Sequence, residues 1–204
     1  MKIQITAIEI MEMEQRKRAH LINSVGGFKS VCLIGTIDLT GQTNLAVFSS
    51  IVHIGANPPL ISFIMRPDSV DRHTLINILN TGSYTINHLN ETIYKQAHQT
   101  SARYPKEISE FDATGLGVEY KANCKAPFVK ESNIQLDIEF KERIDLTINN
   151  TIMVIGEIKN IYFPENCLQD DGYLDIEKAG TISCSGLDSY HLSTRISRLA
   201  YAKA

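Results

Sequence analysis

Two β-branched apolar runs stand out in the first third of the chain, Val31-Cys32-Leu33-Ile34-Gly35-Thr36-Ile37 and Leu60-Ile61-Ser62-Phe63-Ile64, and their length and make-up predict buried strands. Between them Asp38-Leu39-Thr40-Gly41 is a turn signal, and residues 44–52 read as a strand in which Asn44, Ala46, Ser49 and Ser50 interrupt the apolar pattern. A strand thinned in this way often lets a ligand or another backbone approach. Over 68–79, Val70, Leu75, Ile78 and Leu79 share one helical face, Asp68 or Ser69 can cap the start, and Gly82 supplies the stop. Strand pattern resumes at Ser83-Tyr84-Thr85-Ile86-Asn87. A second helix is expected from Asn90 to about Ala102, where Tyr104-Pro105 breaks it, and residues 106–117 read as short helix and loop. Residues 133–140 and 152–161 alternate apolar and polar side chains on either side of Asn149-Asn150, the pattern of a hairpin. Many strands with few helices predict a closed or nearly closed antiparallel barrel. With no repeat, linker or low-complexity segment, residues 1–204 are expected to form one domain.

Composition narrows the class. The chain is 43% hydrophobic and 21% charged, as in ordered cytosolic proteins. Its formal net charge is −3, and the one dense basic run, Arg16-Lys17-Arg18, lies between Glu12, Glu14 and Leu21-Ile22, as on the solvated face of an amphipathic helix. Nucleic acid is therefore not an expected partner. No apolar stretch approaches the roughly 20 residues of a membrane span, and the N-terminus has no secretory apolar core, so a cytoplasmic location is expected. Cys32, Cys124, Cys167 and Cys184 form no CxxC pair and read as reduced thiols, with Cys32 in a core strand and no metal site implied.

Several enzyme classes lack their signature: there is no GxGxxG after a strand, no GxxxxGK[ST], no HExxH and no GxSxG. The six histidines show no ligand spacing, although His53 closely follows Ser49-Ser50. The strongest constellation is Asn44-x-Ala46-x-x-Ser49-Ser50, then Asn57-Pro58-Pro59-Leu60, Arg66, and Thr74-Leu75-x-Asn77-Ile78. Hydroxyls, backbone donors and the planar fork of an arginine suit a phosphate, and the amides near residues 69–73 at a helix start would add donors and a favourable dipole. A strand of small side chains offers the flat slot that a flavin ring needs, so a flavin mononucleotide (FMN) site fits. Serine and asparagine in a strand also serve as internally satisfied structural groups, and Arg66 has an alternative in an ion pair with Asp68.

On these residues the sequence resembles the flavin reductase-like family of FMN-binding split barrels. The likeness runs through Val31 to Thr36, Gly41-x-x-Asn44-x-Ala46-x-x-Ser49, Asn57-Pro58-Pro59-Leu60, Thr74-Leu75-x-Asn77-Ile78, Thr81 to Asn87, Ser109-Glu110-Phe111-Asp112-x-x-Gly115-Leu116 and Ile152 to Ile158. It implies a mainly β split β-barrel, antiparallel and Greek-key-like, with peripheral helices, and a homodimer with FMN at its interface. The thinned strand would face the ring and the Arg66 to Asn77 region the ribityl phosphate. Asn44, Ala46, Ser49, Ser50, Thr74 and Asn77 are carried over as cofactor-binding residues, with Arg66 added on its chemistry. Lys29 stands where many relatives have an arginine ahead of the first core strand and is a candidate for positive charge near the phosphate or the reduced ring, Ser50 and His53 stand where many have aromatic or amide side chains, and Lys29 and His53 join the cofactor-binding candidates.

The resemblance implies an FMN-dependent oxidoreductase in which NADH or NADPH reduces the flavin and electrons pass to an acceptor, with an oxygenase among the possible partners. Because the cofactor carries the hard chemistry, no protein acid, base or nucleophile is required. His53 and His191 are candidate substrate contacts. Two other readings stay open at the level of sequence: an FMN-holding electron carrier that does not oxidise NAD(P)H rapidly, and a flavin-free barrel for another ligand.

Overall fold

The computed structural model describes residues 1–203. Helices α1 (Ala7–Glu12) and α2 (Gln15–Val25) come first, and neither contains a buried residue. The short β1 (Lys29–Ser30) leads into β2 (Cys32–Ile37), which returns through a tight turn as β3 (Thr43–Phe48). The Asp38 carboxylate closes that turn by accepting from the Thr40 hydroxyl at 2.7 Å and from the Thr40 and Gln42 amides at 2.8 and 3.0 Å. Strands β4 (Val52–Ala56) and β5 (Pro59–Met65), helix α3 (His73–Thr81) and strand β6 (Ser83–His88) follow. Helices α4 (Tyr94–Gln99) and α5 (Glu110–Thr114) precede the short pair β7 (Val118–Glu119) and β8 (Phe128–Val129). The long hairpin β9 (Gln135–Leu146) and β10 (Thr151–Tyr162) is followed by β11 (Ile182–Ser185) and β12 (Ser189–Leu192).

Seven strands form one antiparallel sheet in the order β3-β2-β6-β9-β10-β5-β4. Its two edge strands are consecutive in sequence, separated only by residues 49–51. Four Cα steps of extended chain reach at most about 14 Å, so the edges must come together and the sheet must roll into a barrel. The expected split β-barrel with peripheral helices is the observed fold. Inside it Ile34, Phe63, Tyr84, Ile86, Ile138 and Val154 are buried and pack with Leu75 and Ile78 of α3. A second core forms where Leu33 and Leu45 meet Leu89, Ala97 and Phe111 under α4, α5 and the β11–β12 hairpin.

Three elements differ from the sequence reading. The strand expected over 44–52 breaks at Ser49 to Ile51, because the Ser50 hydroxyl takes over a strand's part: it donates to the Ile64 carbonyl at 3.0 Å and accepts the Ile64 amide at 3.1 Å. The helix expected from Asp68 begins at His73, and neither Asp68 nor Ser69 caps it, while Gly82 ends it in the left-handed conformation at φ 69° as anticipated. The helix expected from Asn90 shrinks to Tyr94–Gln99, since the Asn90 carboxamide oxygen holds a turn by accepting from the Thr92 amide and hydroxyl at 3.0 and 2.6 Å. Cys32 is buried in β2, and all four cysteines are free. No helix among the described residues is long and apolar enough to cross a membrane, and no cluster of potential metal ligands is present among them.

Candidate functional site

Rolling the sheet brings the end of β3 beside the end of β5 and the start of α3. A cleft of about 580 Å³ opens there, within the range of small-molecule and cofactor sites. Side chains alternate along β3, so Asn44, Ala46 and Phe48 share one face. These three line the cleft with Ser49 and Ser50, and Arg66 closes it from the end of β5. Arg72, His73 and Thr74 line it from the start of α3, whose first turn has no side-chain cap. The N–H groups of a first helical turn have no partner within the helix, and their aligned dipoles favour an anion.

The cleft wall is held from behind by a buried amide network. The Asn44 side-chain amide donates to the Thr74 hydroxyl at 3.0 Å and to the Thr36 hydroxyl at 3.4 Å, and the Asn77 amide donates to the same Thr36 hydroxyl at 3.1 Å. Thr36 is 0% exposed, and the network pins β3 to both β2 and α3. Asn77 does not reach the main cleft. It faces a water-sized cavity of about 10 Å³ behind it, shared with Asn44, His73, Asp38 and Lys106.

Charge in the cleft is mostly positive. Arg66, Arg72 and Arg103 all line it, and none is in an ion pair among the described residues. Arg72 is steadied by its own loop, donating from Nε to the Pro67 carbonyl at 3.1 Å. Asp68 pairs with Arg143 at 3.0 Å, so the alternative partner of Arg66 is taken. On the opposite side Glu110 is 9% exposed and accepts the Leu45 amide at 2.9 Å, and burial pushes its carboxyl above the usual range. Asp71 also lines the cleft.

Of the residues singled out in the sequence, Asn44, Ala46, Ser49, Ser50, Arg66 and Thr74 meet in this cleft. Lys29 lies outside it, with its ammonium donating to the Gly186 carbonyl at 3.0 Å and the Asn23 carbonyl at 3.5 Å. It thereby ties the end of α2 to the β11–β12 turn, and each of these contributes a lining residue, Asn23 and Leu187. His53 is exposed on edge strand β4, away from the cleft of its own chain. His191 is hydrogen-bonded to Ser185 at 2.8 Å and packs edge-on against Phe28, also outside the cleft. Sequence reasoning did not single out Arg72, His73, Arg103 or Glu110 as site residues. The signal for Glu110 was its place in Ser109-Glu110-Phe111-Asp112, among the residues that carry the family resemblance.

A split barrel with a cationic, hydroxyl-lined cleft between β3, β5 and α3 has the architecture of a flavin-linked oxidoreductase. Residues 28–179 match the flavin reductase like domain, and the chain belongs to that family. A split-barrel protein of flavin-reductase type from Shewanella frigidimarina NCIMB 400 superimposes with a TM-score of 0.95 at 50% identity, covering 98% of this chain and 100% of that one. Nitrilotriacetate monooxygenase component B from Bacillus cereus shares the fold at a TM-score of 0.84 and 22% identity, over 98% and 99% of the two chains. The protein YwrF of Bacillus subtilis is 24% identical over 153 residues, 72% of this chain and 74% of its own.

Proposed function

We propose that the protein holds FMN in this cleft and uses it to move electrons from NADH or NADPH to an acceptor. One observation supports the reading above others: the fold gathers Asn44, Ala46, Ser49, Ser50, Arg66 and Thr74, which are 30 residues apart in sequence at their widest, around the uncapped start of α3. The donor set fits the group. Guanidiniums of Arg66 and Arg72, the Thr74 hydroxyl and the first amides of α3 suit a phosphate dianion. The small side chains of Ala46 and Ser49 leave room for a flat ring against β3.

When bound, FMN would supply the two-electron redox chemistry of this site. The protein's part is to bind and orient. Arg66 and Arg72 hold negative charge at the α3 end, and the backbone beyond Ala46 presents polar groups to the ring edge. The Thr36-centred amide network keeps β3 and α3 at fixed separation. Asp71, His73, Tyr104 and Glu110 are the titratable groups that line the cleft with the arginines, and none is needed as a proton donor to carbon.

A homodimer is part of the proposal. Helices of 6 and 11 residues are marginal in isolation, yet α1 and α2 contain no fully buried residue, and Ile8, Met11, Val25 and Phe28 are each at least 70% exposed. A second copy packed on this arm would cover that surface. Four free cysteines fit a reducing, cytoplasmic setting. The acceptor is a small oxidant or a partner protein such as an oxygenase component.

The deciding measurement is the visible spectrum of the purified protein, as isolated and after adding FMN, followed by anaerobic titration with NADH and NADPH. A flavin spectrum near one per chain that bleaches rapidly with nucleotide is expected. Bound flavin that resists both nucleotides would make the protein an electron carrier, and failure to bind FMN would remove the site assignment.

A further inference from the structure

We infer that Glu110 is a positioning residue that decides which part of the β3 edge is open to ligand. The inference rests on the reading of the cleft as a flavin site. Strand β3 pairs only with β2, so no strand among the described residues is hydrogen-bonded to its other edge. In an antiparallel pair, the N–H and C=O of every second residue turn away from the partner. The Leu45 amide turns outward, since it donates to the Glu110 carboxylate, and by alternation the backbone groups of Thr43 and Val47 turn the same way. The start of α5 covers the first half of this edge. Ser109 Oγ lies 2.7 Å from Thr43 Oγ1, and Glu110 takes the Leu45 N–H at 2.9 Å.

Two residues further along, the cover ends. Val47 lines the cleft, and no loop or side chain among the described residues bonds its backbone. The edge is therefore divided into a closed half, Thr43 to Leu45, and an open half from Val47 to Ser49. Glu110 stands at the division, buried and lining the cleft wall at once. The carboxylate suits this place because one of its oxygens accepts the outward Leu45 N–H.

Without this bond the Leu45 N–H is left without its acceptor, α5 loses a tie to β3, and the open half is no longer held at one depth. Ligand binding then weakens although Glu110 gives the ligand no hydrogen bond. Glutamine keeps an acceptor oxygen in the same place, so Glu110→Gln separates the N–H bond from the charge.

The test is FMN titration of the full-length protein by fluorescence quenching and induced visible circular dichroism, for wild type, Glu110→Gln, Glu110→Ala and Glu110→Met, with melting of each apo form. Loss of this preorganisation predicts an FMN complex about tenfold weaker for Glu110→Ala. Its flavin dichroism band should also change, and Glu110→Gln should stay within about twofold of wild type. Glu110→Met keeps the bulk without the acceptor and serves if the alanine variant fails to fold. Wild-type affinity in the alanine or methionine variant overturns the inference, and so does a glutamine variant as weak as alanine, which would assign the effect to charge. Wild-type protein that takes up no flavin overturns the site reading itself. Equal flavin uptake by all variants overturns only the role of Glu110.

Discussion

Arg143 reaches Asp68 at 3.0 Å while also holding Asp145 at 2.8 Å, so Asp68, the carboxylate two residues from Arg66, is engaged elsewhere and the Arg66 guanidinium has no ion-pair partner among the described residues. An exposed arginine with no partner adds little to stability. Arg66→Ala should therefore leave the melting temperature unchanged and weaken FMN binding about tenfold, the scale of one charge-assisted hydrogen bond to phosphate. Arg143→Ala, which frees Asp68, should weaken FMN by a smaller factor that disappears in Arg143→Ala/Asp68→Asn. Fluorescence titration at two salt concentrations checks both.

Thr36→Val keeps shape and removes the hydroxyl on which both Asn44 and Asn77 converge. Asn77 then loses its acceptor inside a 4% exposed site, which predicts a loss of about 1–3 kcal/mol in urea denaturation. Asn44 keeps its bond to Thr74. FMN affinity should fall more in Asn44→Ala than in Thr36→Val.

Gly35 lies where β2 passes the segment before β8. A Cβ there would run into the Pro127 carbonyl and the Thr85 hydroxyl, which are themselves bonded at 2.6 Å. One of the two obstacles is backbone and cannot swing aside. Gly35→Ala should cost about 1–3 kcal/mol or more, the penalty for overpacking. A normal denaturation midpoint for this variant would contradict the packing described.

His88, bonded to Thr181 at 3.1 Å, is pushed down by burial to a pKa of about 4, against roughly 6.5 in an unfolded chain. The folded protein keeps it neutral where the unfolded chain takes a proton, so the contribution is intact above pH 6.5 and is lost as pH falls toward 4. The lost stability amounts to about 3 kcal/mol at most. His88→Gln should flatten this part of the pH–stability profile between pH 6.5 and 4, as measured by chemical denaturation.

Much of this protein was legible in its residue order. The runs at 31–37 and 60–64, the alternating hairpin about Asn149-Asn150 and the stop at Gly82 became strands, hairpin and helix end because each depends on neighbours within a few residues. Asn44, Ala46, Ser49 and Thr74, which carried part of the resemblance, line one cleft once β3 and α3 are packed together. Periodicity overran at Asp68 and Asn90, where apolar spacing continued but side chains such as the Asn90 carboxamide bonded the backbone locally and stopped the helix. Tertiary structure alone decided the rest. Whether Arg66 met Asp68 depended on Arg143, which lies 75 residues further along, and the place of Glu110 depended on an edge of β3 that exists only after the sheet has rolled up. Hydrogen bonds and ion pairs act over a few ångströms of space, and separation along the sequence says little about which groups the fold brings within that reach.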